Sequence, residues 1–183
     1  MKLSVVIPHH SGVLGADRLL HDCVNPLHGH DELIVYTNDG IGYGPAVNFG
    51  LELVTGGHII VCNNDVTLKE GNLRDLIVNN KITVPQIKPP PKDTEPRAVF
   101  CMPRHIYEEI VERYGFFYDE RFRIGYWEDD DLIKRLEEMG IETQYIEHVV
   151  FDHFGGGGNT MKQMGEAHFY NENKGRFDEK WGG

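Results

Sequence analysis

Cysteine is scarce and unpaired in this chain. The three present, Cys23, Cys62 and Cys101, sit singly among apolar neighbours, which excludes a disulfide framework or paired zinc spacing and leaves buried, reduced thiols as the expectation. Long apolar runs are missing too. None approaches the ~18 residues that cross a bilayer, and the opening MKLSVVIPHH is interrupted by Pro8, His9 and His10 before it reaches the length of a signal sequence. A cytoplasmic protein without a transmembrane segment is therefore expected. Positive charge is also in short supply, with 18 Lys and Arg against 29 Asp and Glu and a formal net charge of -11. That balance repels a phosphate backbone, and Lys88, Lys92 and Arg97 form no basic stripe because Asp93 and Glu95 dilute them, so nucleic acid is not the expected partner. Familiar nucleotide loops are absent as well. The Gly155 to Gly158 run lacks the Lys-Ser/Thr of a P-loop, and Gly42-Tyr43-Gly44 lacks the third glycine of a dinucleotide fingerprint. Neither a Ser-His-Asp order nor a reactive-cysteine signature stands out, and there is no internal repeat.

What is present is a core. The 183 residues are 40% hydrophobic, enough for one well-buried domain but marginal for two. Leu3 to Ile7 reads as a strand buried on both faces and closed by Pro8. Asp17 to Val24 shows helical spacing. Glu32 to Tyr36 is a second strand ending in the turn-prone Asn38-Asp39-Gly40. Pro45 to Thr55 is a helix stopped by Gly56-Gly57, and His58 to Cys62 a third strand leading into Asn63-Asn64-Asp65. Strand and helix alternate with short connections, as in an α/β fold with a mostly parallel sheet, whose ligands lie beyond the carboxyl ends of the strands. The three strand ends carry His9 and His10, Asn38 and Asp39, and Asn63 to Asp65. Further on, a helix is expected around Leu73 to Asn79, a Pro-rich loop over Pro85 to Pro96, and a strand from Ala98 to Met102. Helices follow at Arg104 to Tyr114 and Asp130 to Met139, stopped by Gly115 and Gly140. Short strands are expected at Glu142 to Ile146 and Val149 to Phe151. The tail from residue 156 to 183 reads as mobile, with some helix from Met161 to Glu172.

Three segments carry residues suited to chemistry. Asn63-Asn64-Asp65 offers a carboxylate and amide oxygens, hard donors that suit Mg²⁺ or Mn²⁺, although the same residues also favour plain turns. Glu128-Asp129-Asp130-Asp131 opens a helix. Acids there complement the helix dipole, and Asp130 and Asp131 have Lys134 and Arg135 at i, i+4. Four consecutive acids nonetheless repel one another, so at least one is expected to have a raised pKa or a cation nearby, the profile of a general base. His153, before the flexible glycine run, is a candidate metal ligand, one among ten histidines.

The order of these segments resembles the inverting family 2 glycosyltransferases of the GT-A fold. SVVIP from Ser4 is similar to that family's first strand. ELIVYTNDG from Glu32 is similar to its second strand with the acidic turn that holds the nucleoside. GYGPAVNFGLE from Gly42 resembles its Gly-x-x-x-Ala-x-Asn-x-Gly helix opening, with Val47 where Arg is usual. HIIVCNNDV from His58 resembles the strand leading to the DxD element, with Asn63 in the first Asp position. The stretch from Met102 through YDERFRIGYWEDDDLIKRL resembles the acceptor-side block, and HVVFDHFGGGG the strand ending in a metal-ligating His.

The resemblance implies a single-domain GT-A architecture, with residues 1-66 as the nucleotide-sugar half and 97-155 as the acceptor half. It implies Asp65 and His153 as ligands of Mn²⁺ or Mg²⁺. Pro8, His9, Asn38, Asp39, Asn48, Asn63 and Asn64 are implied as donor-binding residues, with Asp39 on the nucleobase. Asp129 is implied as the catalytic base, with Glu128 or Asp131 orienting the acceptor. The implied activity moves a sugar from a nucleoside-diphosphate sugar, a UDP-sugar favoured, to a hydroxyl acceptor. The competing expectations are a sugar nucleotidyltransferase, disfavoured because Pro8-His9-His10-Ser11-Gly12-Val13 is no Arg/Lys-bearing glycine loop, and a non-catalytic nucleotide-sugar or carbohydrate-binding module. An acceptor that is a modified nucleic-acid base is disfavoured by the acidic charge.

Overall fold

The apolar runs build a central sheet. The computed structural model of the chain describes residues 1–11, 15–37, 40–88, 97–154 and 166–182. Its strands are β1 (Leu3–His9), β2 (Glu32–Thr37), β3 (His58–Cys62), β4 (Val66–Glu70), β5 (Ile82–Lys88), β6 (Val99–Pro103) and β7 (Thr143–His153). They join in the order β2-β1-β3-β6-β5-β7-β4. β1 pairs in parallel with β2 and β3, and β5 with β7, while β6 is antiparallel between β3 and β5 and β4 is antiparallel to β7 at the edge. Five strands thus run one way and the sheet is mostly parallel, as expected.

Strand parity sorts the core into two layers. Leu3, Val5 and Ile7 of β1, Ile60 and Cys62 of β3, and Cys101 of β6 pack in one layer with Cys23, Leu73, Leu76 and Phe151. Val6, Ile59, Val61, Phe100 and Met102 pack in the other, against helices α2 (Tyr43–Leu53), α3 (Arg104–Tyr114) and α4 (Glu128–Met139). Helix α1 (Ala16–Val24) contributes Cys23 to the first layer. With both faces covered, every residue of β1 is buried. Gly50 lets α2 lie directly on β1, since a Cβ there would sit 2.4 Å from Cγ1 of Val6. The three cysteines are free and buried.

Several elements differ from the sequence reading. β4 was not expected, because Val66 to Glu70 follows the Asn63-Asn64-Asp65 turn without a second turn signal. The expected Leu73 to Asn79 helix is a single 3-10 turn, Leu73–Leu76, closed in a capping box by Asn72 and Asp75. β5 claims Pro85 and runs to Lys88, so the expected Pro-rich loop survives at most in residues 89–96, which lie outside the described residues. Pro85 is accommodated at a slip in register: it faces Ile146, and the next residue, Gln86, faces Val150. The same slip fuses the two short strands expected near the end into β7, leaving 147–149 over as a bulge. Where a mobile tail with some helix from Met161 to Glu172 was expected, Glu166–Trp181 forms a long helix, α5, that runs past Glu172. No helix among the described residues is long and apolar enough to cross a membrane.

Candidate active site

The carboxyl ends of β1, β3 and β7 bring together most of the strand-end residues singled out above. Val66 pairs with His153 in the β4 to β7 ladder, and the Phe154 N–H donates to the Asp65 carbonyl at 2.9 Å. This register places His153 Nε2 3.1 Å from Asp65 Oδ1, both side chains mostly buried. The Asp65 carboxylate raises the pKa of His153, against the opposing effect of burial. Nearby in the chain, the Asn63 N–H donates to the Ala98 carbonyl at 2.8 Å, and its side-chain Oδ1 is buried with no hydrogen-bond partner. An orphaned acceptor of this kind is costly unless a ligand satisfies it. Carboxylate, imidazole and amide oxygen fit Mn²⁺ or Mg²⁺ with open positions for phosphate oxygens and water. Among the described residues, no group of three or more His, Cys, Asp or Glu gathers for a metal ion.

His9 is buried with both ring nitrogens engaged. The Asn64 amide donates to Nδ1 at 3.0 Å, which leaves the proton on Nε2 to donate to Asp17 at 3.0 Å. His9 and Asn64 thereby tie α1 to the end of β3. Pro8 is buried within β1. Asn38 and Asp39 lie outside the described residues.

The second group of residues opens α4, and the helix fans its four acids apart. The Asp129 carboxylate accepts from the Tyr118 hydroxyl at 2.7 Å. Asp130 pairs with Arg97 at 2.9 Å rather than with Lys134, which binds Glu137 instead. Asp131 is fully buried and receives Arg135 Nε at 2.9 Å, Lys180 Nζ at 2.6 Å and Trp181 Nε1 at 2.9 Å. Those three donors hold it, so its place is that of a joint between α4 and α5. Glu128 is 4% exposed, with Oε2 lacking a partner.

Burial, helped by the charge of Asp129, pushes Glu128 up to about 8. Burial also pushes Asp129 up to about 6, against the Tyr118 hydrogen bond and the charge of Arg97. The pair is thus poised so that at neutral pH Asp129 is the stronger candidate to accept a proton while Glu128 keeps one. The Tyr118 and Tyr43 hydroxyls are driven upward by burial and by the charge of Asp129, so both stay protonated.

Asn48, expected among the donor-binding residues, has its amide engaged elsewhere. Its Oδ1 accepts from Tyr118 N–H, and its Nδ2 donates to the Tyr118 carbonyl, both at 2.9 Å. Gly42 at the head of α2 has φ 101° and the backbone of Ile124 against it, where a Cβ would stand 2.9 Å from the Ile124 nitrogen. Tyr43 N–H then donates to the Ile124 carbonyl at 2.8 Å. The glycine and asparagine of the GYGPAVN segment thus hold the loop before α4. Sequence reasoning missed Tyr118, Arg97 and the part of α5 beyond Glu172. Only the Tyr-Asp-Glu block next to the four acids signalled any of them.

No protein-family model matches the chain, and no curated protein matches it. Solved structures do. GalNAc-T7, in a structure with UDP, GalNAc and Mn²⁺, superposes with a TM-score of 0.59 at 12% identity over 83% of this chain and 43% of its own. A Drosophila β-1,4-galactosyltransferase 7 mutant, in complex with manganese, UDP-Gal and xylobiose, gives 0.57 at 12% identity over 79% of this chain and 65% of its own. TarS 1-349 of S. aureus gives 0.56 at 10% identity, over 82% and 60%. The chain spans less than two thirds of the length of each, and what it shares with them is the fold, which is of the GT-A glycosyltransferase type.

Proposed function

We propose that this chain is a metal-dependent, inverting glycosyltransferase that uses a nucleoside-diphosphate sugar, a UDP-sugar by preference, and a hydroxyl acceptor. The observation that carries the reading is the Asp65–His153 pair, set 3.1 Å apart at the carboxyl edge of a GT-A sheet. Asp65, His153 and the orphaned Asn63 oxygen would hold Mn²⁺ or Mg²⁺, which when bound supplies positive charge to offset that developing on the leaving diphosphate. UDP and manganese accompany two of the fold neighbours, which favours uridine.

Asp129 accepts the proton of the acceptor hydroxyl as its oxygen bonds to the anomeric carbon and the bond from that carbon to the diphosphate oxygen breaks. The products are a glycosylated acceptor, a nucleoside diphosphate and a protonated Asp129. A single displacement with one base inverts the anomeric centre, so an α-linked donor yields a β-linked product. Tyr118 orients the base, and Glu128, protonated at neutral pH, is able to donate a hydrogen bond to the acceptor. Asn38 and Asp39, following β2, are assigned to the nucleoside. Asn48 and Asp131 hold Tyr118 and the head of α4 in place.

A thermal-shift screen of UDP, GDP, dTDP and CDP with and without Mn²⁺ tests this reading, because a ligand bound only by the native state raises Tm. A rise that needs Mn²⁺, is largest for UDP and vanishes in Asp65→Ala is expected. No rise with any nucleotide overturns it. A rise without donor turnover favours the non-catalytic binding module instead.

A further inference from the structure

We propose that Asn173 of α5 is a positioning residue for the Glu128 and Asp129 carboxyls, acting through the backbone of residues 123–126 to hold the left-handed turn that opens α4. The inference rests on the reading of Asp129 as the base.

The turn is one that its own sequence does not favour. Ile124, Tyr126 and Trp127 have φ of 68°, 73° and 74°. These residues enter the left-handed region only when their surroundings impose it. Trp127 stands at the N-cap, where Ser, Thr, Asp or Asn would bond the first turn, and makes no side-chain cap. Something distant must therefore define where α4 starts.

Asn173 meets that need. It is fully buried. Its Nδ2 donates to the carbonyls of Arg123 and Gly125 at 2.9 Å and of Tyr126 at 3.2 Å, and its Oδ1 accepts from the Arg123 N–H at 3.2 Å. A single planar amide supplies both the donors and the acceptor that this loop leaves open. A carboxylate would lose the donors, and an apolar side chain would lose everything.

The same stripe of α5, at helical spacing, grips the rest of the turn. Tyr170 and Phe177 clasp the Trp127 ring at centroid distances of 5.4 and 5.0 Å, and Lys180 and Trp181 reach Asp131. The cavity of about 400 Å³ alongside, lined by Arg121, Arg123, Arg176, Glu179 and Lys180, belongs to this brace rather than to an anion. Arg121 and Lys180 are already paired with Asp119, and Arg176 with Glu172.

Carboxyl ¹³C titration of Glu128 and Asp129 by NMR, together with donor turnover, compares wild type with Asn173→Ala and with Asp178→Ala. The latter removes a pair with Lys174 on the same helix and leaves every Asn173 contact in place. The groups facing the carboxyls, Tyr43, Tyr118, Arg97 and Asp130, are substituted in none of these variants. Asn173→Ala is expected to admit water and lower the titration midpoints of the pair by about one unit. It is also expected to cut kcat roughly 10–100-fold with little change in donor KM, while Asp178→Ala moves neither. If Asn173→Ala does not fold, Asn173→Ser, which keeps one hydroxyl donor, is expected to show the same changes at smaller amplitude. Unchanged midpoints in a folded Asn173 variant, or a loss of activity that only follows a lower Tm, overturn the proposal. A wild type that neither binds UDP with Mn²⁺ nor turns over a donor sinks the transferase reading instead, and the titration still decides the role of Asn173.

Discussion

At the strand-end site, Asp65 and His153 meet because Asp65 directly precedes β4, whose first residue, Val66, pairs with His153. At the head of α4 no ladder places Asp129. Its position depends on Tyr118, which is clamped by Asn48 seventy residues away, and on a strained turn braced by Asn173 fifty residues on. Three left-handed non-glycine residues there store strain on the order of 1–3 kcal/mol each. One site is therefore determined by neighbours in the sheet and the other by contacts between distant helices, and they differ in how far away a mutation can reach them.

The sharpest way to separate the two sites is to remove the base alone. Asp129→Asn keeps the shape and the Tyr118 contact but cannot take a proton, so kcat is expected to fall ~10²–10⁴-fold. The Mn²⁺-dependent rise in Tm with nucleotide should persist. In the wild type the acid limb of kcat should lie near pH 6, where burial places Asp129. Below that pH the base is protonated and rate is lost. Wild-type turnover by Asp129→Asn would remove Asp129 from the mechanism.

The converse change tests the strand-end site. Removing either member of the Asp65–His153 pair, as Asp65→Asn or His153→Ala, is expected to weaken Mn²⁺-dependent nucleotide binding roughly 10–100-fold, the size of a lost charge-assisted contact. Isothermal titration reads the affinity. The carboxyl titrations of Glu128 and Asp129 should not move, and a shift in them would mean that the two sites are coupled.

How much of this was legible in the sequence follows the same division. Buried runs such as Ser4 to Pro8 and His58 to Cys62 announce themselves because both faces are covered, so apolar residues are continuous. Their ends, and hence Asn63 to Asp65, could be placed from the chain alone. β5 was hidden by Pro85, whose place in a strand depends on a register slip against β7 that no local pattern encodes. The part of α5 beyond Glu172 was hidden because the residues that dock it, Asn173, Lys180 and Trp181, are polar or amphipathic and read as a solvated tail. The four acids were legible as a group, but their division into a proposed base, a surface pair and a buried joint depends on Tyr118, Arg97 and Lys180, all outside the helix.

Gly42 tests whether the division is complete, because it heads α2 yet touches the loop before α4. Gly42→Ala forces a side chain into φ 101° and against the Ile124 backbone, at a cost of about 1–3 kcal/mol. The expected result is a lower Tm and a lower kcat together, with nucleotide binding less affected. A variant that loses nucleotide binding and keeps kcat would place the glycine wholly in the donor half.

The smallest expected effect lies at the opposite edge of the sheet, away from both sites. Burial would raise the pKa of Glu32, but hydrogen bonds from Ser4, the Thr55 N–H, Lys2 and the Thr55 hydroxyl outweigh it and lower the carboxyl to about 2. The folded value is below the unfolded one of 4.5. The contribution to stability is therefore fully present above pH about 4.5 and is lost as pH falls through about 2. Glu32→Gln is expected to lower Tm at pH 7 by roughly 2–6 °C, as about 1–2 kcal/mol does in a domain of this length. The difference from wild type should shrink as pH falls through that window, with the kcat profile near pH 6 unchanged. If the acid limb of kcat moved with Glu32, the separation between the scaffold edge of the sheet and its functional edge would fail.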